Sequence, residues 1–343
     1  MTLPIDQSFP PMEAVAVATL PDGPGWQYEP KWDGFRCLAF RDGGAIELRS
    51  KSGQPLGRYF PDLVAALAAV AAPRFVLDGE IVIPVAGVPS FEELQLRLHP
   101  AESRVRRLAV AHPARMMLFD LLVDARGRDL TGQPLAARRA GLVALMPDLA
   151  SPALALSPAT ADRAAAQAWL DGLEAGCDGV MGKRLDLPYR GGHRDGMVKV
   201  KHLRSADCVV GGFRYLAARR EVGSLLLGLY DAAGRLDHVG FTSTIPASER
   251  TALTARLEQR IEPPGFTGRA PGGPSRWSRT GRAADWQPLR PELVVEVRYD
   301  HVSGGRFRHG TTLLRWRPDK APAQCRIEQI AAPAASHFVT QSG

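Results

Sequence analysis

The sequence predicts an α+β chain in two successive parts: antiparallel sheets with helices over residues 1–203, then a small β-barrel over 204–330, with a fraying tail at 331–343. Three observations predict it. The chain has 343 residues, enough for about two domains of ordinary size, each with its own core. Its first two hundred residues mix short apolar runs, turns and helical spacings. After Lys201 the texture changes to short β-like runs with Gly-rich turns and one helical stretch.

The elements follow in order. Arg36 to Phe40 and Ile46 to Leu48 flank Asp42-Gly43-Gly44, a hairpin signal. Asp62 to Ala72 carries Leu63, Leu67 and Val70 at helical spacing and is closed by Pro73. Arg74 to Leu77 and Ile81 to Ile83 read as strands around Asp78-Gly79-Glu80, and Arg115 to Val123 as a buried strand. Pro134 to Leu145 reads as a helix, Pro147 to Pro158 as a connector, and Ala161 to Ala175 as an Ala-rich helix capped by Thr160. Gly179 to Gly182 and Met197 to Val200 are strands. Beyond the boundary at Leu203 to Ala206, strands are predicted at Cys208 to Arg214, Ser224 to Tyr230, Leu236 to Phe241 and Leu293 to Tyr299, with a helix from Ala247 to Ile261. Several strands and one helix over about 120 residues suit a small barrel such as an OB-fold. Pro263 to Pro291 reads as a long loop.

Composition narrows the function. No stretch approaches the roughly 18 apolar residues of a membrane span, and the start shows no secretory signal, so a cytoplasmic protein is expected. Cys37, Cys177, Cys208 and Cys325 lie far apart, which argues against a zinc site or a disulfide framework. The net charge of +7 favours a polyanionic partner. Of 43 basic residues only six are lysines: Lys31, Lys51, Lys183, Lys199, Lys201 and Lys320. In so arginine-rich a chain the lysines are candidates for work a guanidinium cannot do, since only an amine can shed its proton and attack.

The ordered motifs carry the chemistry. Glu29-Pro30-Lys31-Trp32-Asp33-Gly34-Phe35-Arg36 comes first, then Leu77-Asp78-Gly79-Glu80-Ile81-Val82 and Phe119-Asp120-Leu121-Leu122. Asp178-Gly179-Val180-Met181-Gly182-Lys183, Met197-Val198-Lys199-Val200-Lys201 and Arg315-Trp316-Arg317-Pro318-Asp319-Lys320 complete the set. K-x-D-G alone is a short pattern that also suits a solvated turn; the ordered series is far more specific. From about Tyr28 to Lys320 it resembles the covalent nucleotidyltransferases: DNA ligases, RNA ligases and mRNA-capping enzymes. LDLPYRGGHRDGMVKVK and RFRHGTTLLRWRPDK look most like bacterial ATP-dependent DNA ligases of the ligase C and ligase D type.

That resemblance implies a nucleotidyltransferase (ATP-grasp-like) first domain, an OB-fold second domain, ATP as cofactor and Mg²⁺ or Mn²⁺ as metal. It implies that Lys31 is the nucleophile that takes AMP as a phosphoramidate. Nearby cations, Lys199 and Lys201 among them, would favour the loss of its proton. Two apart on a strand, Lys199 and Lys201 face the same side and can reach one phosphate together. Glu80 and Asp178 are the implied metal ligands; Asp178 departs from the Glu usual in the family. Phe119 is implied to stack on adenine, Glu29 to lie near the base, with Pro30 and Lys183 in the nucleotide-binding set. Arg36 is implied to contact ribose or the nick phosphate, and Lys51 a phosphate where the family more often has Arg. Arg315, Arg317, Asp319 and Lys320 are implied to hold the β- and γ-phosphates.

The first motif opens at Glu29, and no nicotinamide-binding domain or four-Cys module is evident, so ATP rather than NAD is expected. The expected substrate is nicked duplex DNA, met by a bacterial, nucleoid-associated monomer, with end-binding or repair-polymerase proteins as candidate partners. The rivals are an RNA ligase or capping-type enzyme, which the RWRPDK run and the bacterial motif details disfavour, and a non-catalytic DNA-end-binding scaffold, which Lys31, Glu80, Lys199 and Lys201 together disfavour.

Overall fold

The computed structural model describes residues 2–172, 177–272 and 285–331. They fall into two compact units, the first ending at His202 and the second beginning at Leu203. Of the expected tail, residues 332–343 lie outside the described residues, as does 273–284 of the expected loop. No helix among the described residues is long and apolar enough to cross a membrane.

The first unit holds β1 (Val15–Ala16), β2 (Trp26–Trp32), β3 (Phe35–Asp42), β4 (Ala45–Ser50), α1 (Pro61–Ala69) and β5 (Arg74–Val82). A small hairpin, β6 (Pro84–Val85) and β7 (Val88–Pro89), leads to α2 (Phe91–Leu96) and α3 (Glu102–Ala111). Then come β8 (Arg115–Val123), α4 (Leu135–Leu145), β9 (Leu154–Leu156), α5 (Arg163–Gly172), β10 (Cys177–Arg184) and β11 (Met197–Lys201). Two sheets result, β4-β3-β5-β8-β9 and β1-β11-β10-β2.

Layering follows from alternation. One face of the five-stranded sheet buries Leu77 and Leu118 with Leu63 and Leu67 of α1 and Leu142 and Leu145 of α4. Its other face buries Leu38, Phe40, Val76 and Leu122 against Met12, Tyr189 and Met197. The four-stranded sheet buries Tyr28, Val180 and Val200 against Ala166, Trp169 and Leu170 of α5. Each such side chain taken from water contributes on the order of 1.5–3 kcal/mol before entropy is counted.

The second unit holds β12 (Arg204–Leu216), β13 (Arg219–Tyr230), β14 (Leu236–Thr242), α6 (Arg250–Glu258), β15 (Gln287–Pro288), β16 (Val294–Tyr299), the hairpin β17 (Val302–Ser303) and β18 (Arg306–Phe307), and β19 (Thr312–Trp316). Its sheet runs β14-β13-β12-β16-β19, with β15 on β12. A parallel bridge between Thr242 and Thr311 ties the end of β14 to the approach of β19. Leu253 and Leu257 of α6 join a core of Phe213, Leu225, Leu227 and Val295. The expected α+β class, with a nucleotidyltransferase-type first part and an OB-type second part, describes the chain.

Several local expectations need correction. Asp78-Gly79-Glu80 is no turn: β5 runs unbroken through it. A Cβ on Gly79 would lie 2.7 Å from the Met117 carbonyl oxygen, so this glycine serves close strand packing. Helix α1 stops at Ala69, with Val70 extended as it turns into the core. The connector from Pro147 to Pro158 contains β9, which pairs in parallel with β8. Asp162, not Thr160, caps α5: its Oδ1 accepts the Ala164 N–H, while Thr160 Oγ1 accepts the N–H of Asp162. The helix from Ala247 splits into a 3₁₀ turn at Ala247–Glu249 and α6, which ends at Glu258. The long loop contains β15.

Candidate active site

Strand alternation puts Gln27, Glu29 and Lys31 of β2, Met181 and Lys183 of β10, and Lys199 and Lys201 of β11 on one face, away from α5. Register aligns them in rows. Glu29, Met181 and Lys199 form one; Gln27, Lys183 and Met197 the next; and Gly179 lies opposite Lys201. The pairing of β10 with β2 is irregular between Cys177 and Val180, which is where Asp178 sits.

The chain then crosses between sheets at Asp33-Gly34. A Cβ on Gly34 would stand 2.2 Å from the carbonyl oxygen of Ile81, so the crossing has room for glycine alone. Arg36 follows on β3, opposite Glu80 of β5. On β8, Leu118 pairs with Gly79 and Asp120 with Asp78, leaving Phe119 as the extra residue of a bulge. Such a bulge re-aims a side chain, and Phe119 lines the cavity while Leu118 stays in the core.

The two sheets thus enclose a cavity of about 200 Å³. Glu29, Pro30, Lys31, Arg36, Lys51, Glu80, Phe119, Lys183 and Lys199 all line it, so most of the residues singled out from the sequence meet there. Four of the six lysines are among them. Lys201 lies beyond Lys199 on the same strand face.

Charge is arranged in three groups. At the rear, Glu29 is buried and accepts from Gln27 Nε2 at 2.8 Å and from Lys183 Nζ at 2.9 Å. Lys183 Nζ also lies 4.1 Å from the centroid of the Phe119 ring, and the Arg36 guanidinium 4.5 Å from it. Arg36 grips fully buried Asp78 through two hydrogen bonds, at 2.5 and 2.6 Å. Asp78 also accepts from the Tyr189 hydroxyl at 2.6 Å, which itself accepts the Met12 N–H at 2.9 Å. At the centre, Lys31 Nζ lies 2.5 Å from Asp178 Oδ1.

Burial pushes the Glu80 carboxyl up to about 8; Arg36 and Lys31 oppose the shift, and Asp78 and Asp178 add to it. Burial, then repulsion from Lys31, Lys201 and Lys51, holds Lys199 below its ordinary value. Glu80 and Asp178 therefore repel one another beside Lys31, a donor pair suited to a hard divalent cation. No group of three or more His, Cys, Asp or Glu converges among the described residues, so water and phosphate oxygens would complete such a shell.

The second unit's candidates are held by acids of their own unit. Arg317 pairs with Asp207 at 2.8 Å and Asp319 at 2.9 Å, Arg315 with Glu296 at 2.6 Å, and Lys320 with Asp207 at 3.6 Å.

Some of the site was not foreseen. Pro11 to Ala14 form a wall of the cavity, and Glu13 pairs with Lys51 at 3.1 Å and Arg194 at 2.9 Å. This segment arrives because β1 pairs in parallel with β11 at Lys199. Tyr189 lies within LDLPYRGGHRDGMVKVK, where nothing in the run marks it as the partner of Asp78. No local pattern marks either; only long-range docking does.

The chain has extensive matches among known proteins. The family described as "ATP dependent DNA ligase domain" matches residues 11–201, and that described as "ATP dependent DNA ligase C terminal region" matches 218–320. The chain is 46% identical to DNA ligase C2 of Mycolicibacterium smegmatis, covering 99% of both chains. It is 43% identical to DNA ligase C of Mycobacterium tuberculosis, covering 97% of this chain and 96% of that one. Among solved structures, the ligase domain of M. tuberculosis LigD matches at a TM-score of 0.50 and 31% identity, over 93% of this chain and 98% of that one.

Proposed function

The chain belongs to the ATP-dependent DNA ligases, and from that premise we propose that Lys31 is its AMP carrier and the cavity around it the nucleotide site. The observation that carries the proposal is the meeting of Lys31, Arg36, Glu80, Phe119, Lys183 and Lys199, drawn from six strands, on one cavity.

The reaction then follows from the residues. Adenine enters beside Phe119 at the Glu29–Lys183 end, where buried polar groups recognise a base edge. Lys31 Nζ, once its proton has passed to a neighbour such as Asp178 Oδ1, attacks the α-phosphorus. A P–N bond forms, the α–β P–O bond breaks and pyrophosphate leaves. Lys199 and Lys201 meet the charge that develops on the α-phosphate oxygens. A 5′-phosphate oxygen of the nick next attacks the same phosphorus, regenerating the Lys31 amine. The 3′-hydroxyl then attacks the activated 5′-phosphate and AMP leaves with its electron pair. Glu80 and Asp178 would hold Mg²⁺ or Mn²⁺, which supplies Lewis-acid stabilisation of phosphate charge.

Arg315, Arg317 and Lys320 would serve the β- and γ-phosphates by exchanging Asp207, Glu296 and Asp319 for phosphate oxygens, a role taken from the resemblance. We place the enzyme in DNA repair on the same ground. The test is incubation with ATP and Mg²⁺ or Mn²⁺, followed by mass spectrometry of the intact and digested chain. One AMP on Lys31 is expected. An adduct elsewhere, or labelling by GTP alone, would overturn the assignment.

A further inference from the structure

Behind the cavity of the first unit lies a tyrosine to which the reaction steps give no part. Val76, Asp78 and Glu80 alternate onto one face of β5. Val76 is buried there with Leu38, Phe40 and Leu122, while Glu80 lines the cavity. Asp78, between them, is fully buried, and a carboxylate in such a place must be given its hydrogen bonds. Arg36 supplies two and Tyr189 a third. Arg36 Nη2 and the Tyr189 hydroxyl converge on the same oxygen, Oδ2, each at 2.6 Å. Burial, then the charge of Asp78, pushes the Tyr189 hydroxyl well above the usual phenol range, so its proton stays in place to be donated. The same hydroxyl accepts the Met12 N–H at 2.9 Å, and Met12 belongs to the cavity wall formed by Pro11 to Ala14.

The link to Arg36 matters because that guanidinium has a choice of acids. Across the β3–β5 ladder it stands opposite Glu80. Held on Asp78 it lies 4.5 Å from the centroid of the Phe119 ring and lines the cavity. Turned to Glu80 it would leave that ring and neutralise a carboxylate suited to a metal. The outcome depends on how firmly Asp78 is fixed, and Tyr189 is a donor to it that does not move with the guanidinium. Its ring packs on Phe9, with centroids 6.0 Å apart, and the Arg138 guanidinium lies 5.4 Å from its centre. A side chain that meets a ligand gains when the groups behind it lock its rotamer. We propose that Tyr189 is a positioning residue for AMP attachment: by sharing Asp78 with Arg36, it keeps the guanidinium on the nucleotide cavity and off Glu80. This rests on the reading of that cavity as the nucleotide site.

The experiment is a double-substitution cycle on the full chain: unsubstituted, Tyr189→Phe, Arg36→Lys, and both together. Calorimetry gives the dissociation constant of α,β-methylene-ATP, whose α–β bridge does not break, and thermal unfolding gives the midpoint. Tyr189→Phe keeps the ring and removes only the hydroxyl. It should weaken the analogue about 5-fold or more, and raise KM for ATP in AMP attachment more than it lowers the limiting rate. In the Arg36→Lys background the two-pronged grip is already lost. There the same change should weaken the analogue less than about 2-fold, although the midpoint falls in both backgrounds. A hydroxyl with a structural role alone would weaken binding equally in both. That result, or unchanged binding in folded Tyr189→Phe, would overturn the proposal. Should Tyr189→Phe fail to fold, the carbon-13 signal of the hydroxyl-bearing ring carbon of Tyr189, in a chain labelled at its six tyrosines, takes its place. It should shift in Arg36→Lys, and an unmoved signal would equally defeat the idea. A chain that binds the analogue yet takes no AMP on Lys31 would overturn the Lys31 assignment, leaving the cycle to judge Tyr189 alone.

Discussion

Glu29 and Lys183 are both almost wholly removed from water, so neither can be altered alone without stranding a charge. Lys183→Met should destabilise the first unit by about 3–5 kcal/mol in chemical denaturation, and the pair Glu29→Gln with Lys183→Met should recover much of that. Equal losses in single and double variants would show that packing, not charge, governs the position. Lys31 differs in kind: its side chain is 21% exposed, so its replacement tests chemistry rather than stability. Lys31→Arg should keep the ion pair with Asp178 and the unfolding midpoint, yet abolish AMP attachment by mass spectrometry, because a guanidinium does not give up its proton. At this scale the sequence was informative, since in a chain with 37 arginines the scarce lysines were already conspicuous. What it could not disclose was the partner of each. The acids facing Lys31 and Lys183 stand 147 and 154 residues away along the chain.

Among the elements, the crossing from β2 to β3 sets the two sides of the cavity relative to each other. Gly34→Ala would drive a methyl against the Ile81 carbonyl, and the crossing would have to shift. Overpacking of this kind costs about 1–3 kcal/mol. Because Lys31 and Arg36 flank the crossing, AMP attachment should slow together with the fall in the urea midpoint. Strand β14 carries a different liability. The pKa of His238 is about 3 in the folded chain, against roughly 6.5 unfolded, so its neutral form contributes stability that is whole above pH 6.5. As pH falls below that, the unfolded chain takes up a proton the folded chain refuses, at about 1.4 kcal/mol per unit. The urea midpoint should therefore drop between pH 7 and pH 5, and drop less in His238→Asn. Most strands were legible from alternation and turn residues. The exceptions are instructive: Asp78-Gly79 carries the chemistry of a turn, but pairing with strands on both sides holds it extended. Likewise β9 and β1 exist because longer strands recruit them in parallel, which no local pattern announces.

For the molecule as a whole, the division into two compact units coincides with the change of texture after Lys201. The wall from Pro11 to Ala14 and the clamp of Tyr189 on Asp78 were not legible in the sequence, since both join chain segments more than a hundred residues apart. Stripping divalent cations with EDTA should stop AMP attachment, and restoring Mg²⁺ or Mn²⁺ should return it. Turnover that survives chelation would exclude Glu80 and Asp178 as metal ligands.

The crowding of ε-amines has a practical outcome. With so few in the whole chain and most gathered around one cleft, an acylating reagent of the succinimidyl-ester type would act nearly as an affinity label. Lys199, held below its ordinary value, would be among the readiest to react. Inactivation should follow modification of a handful of positions, and bound nucleotide should shield them.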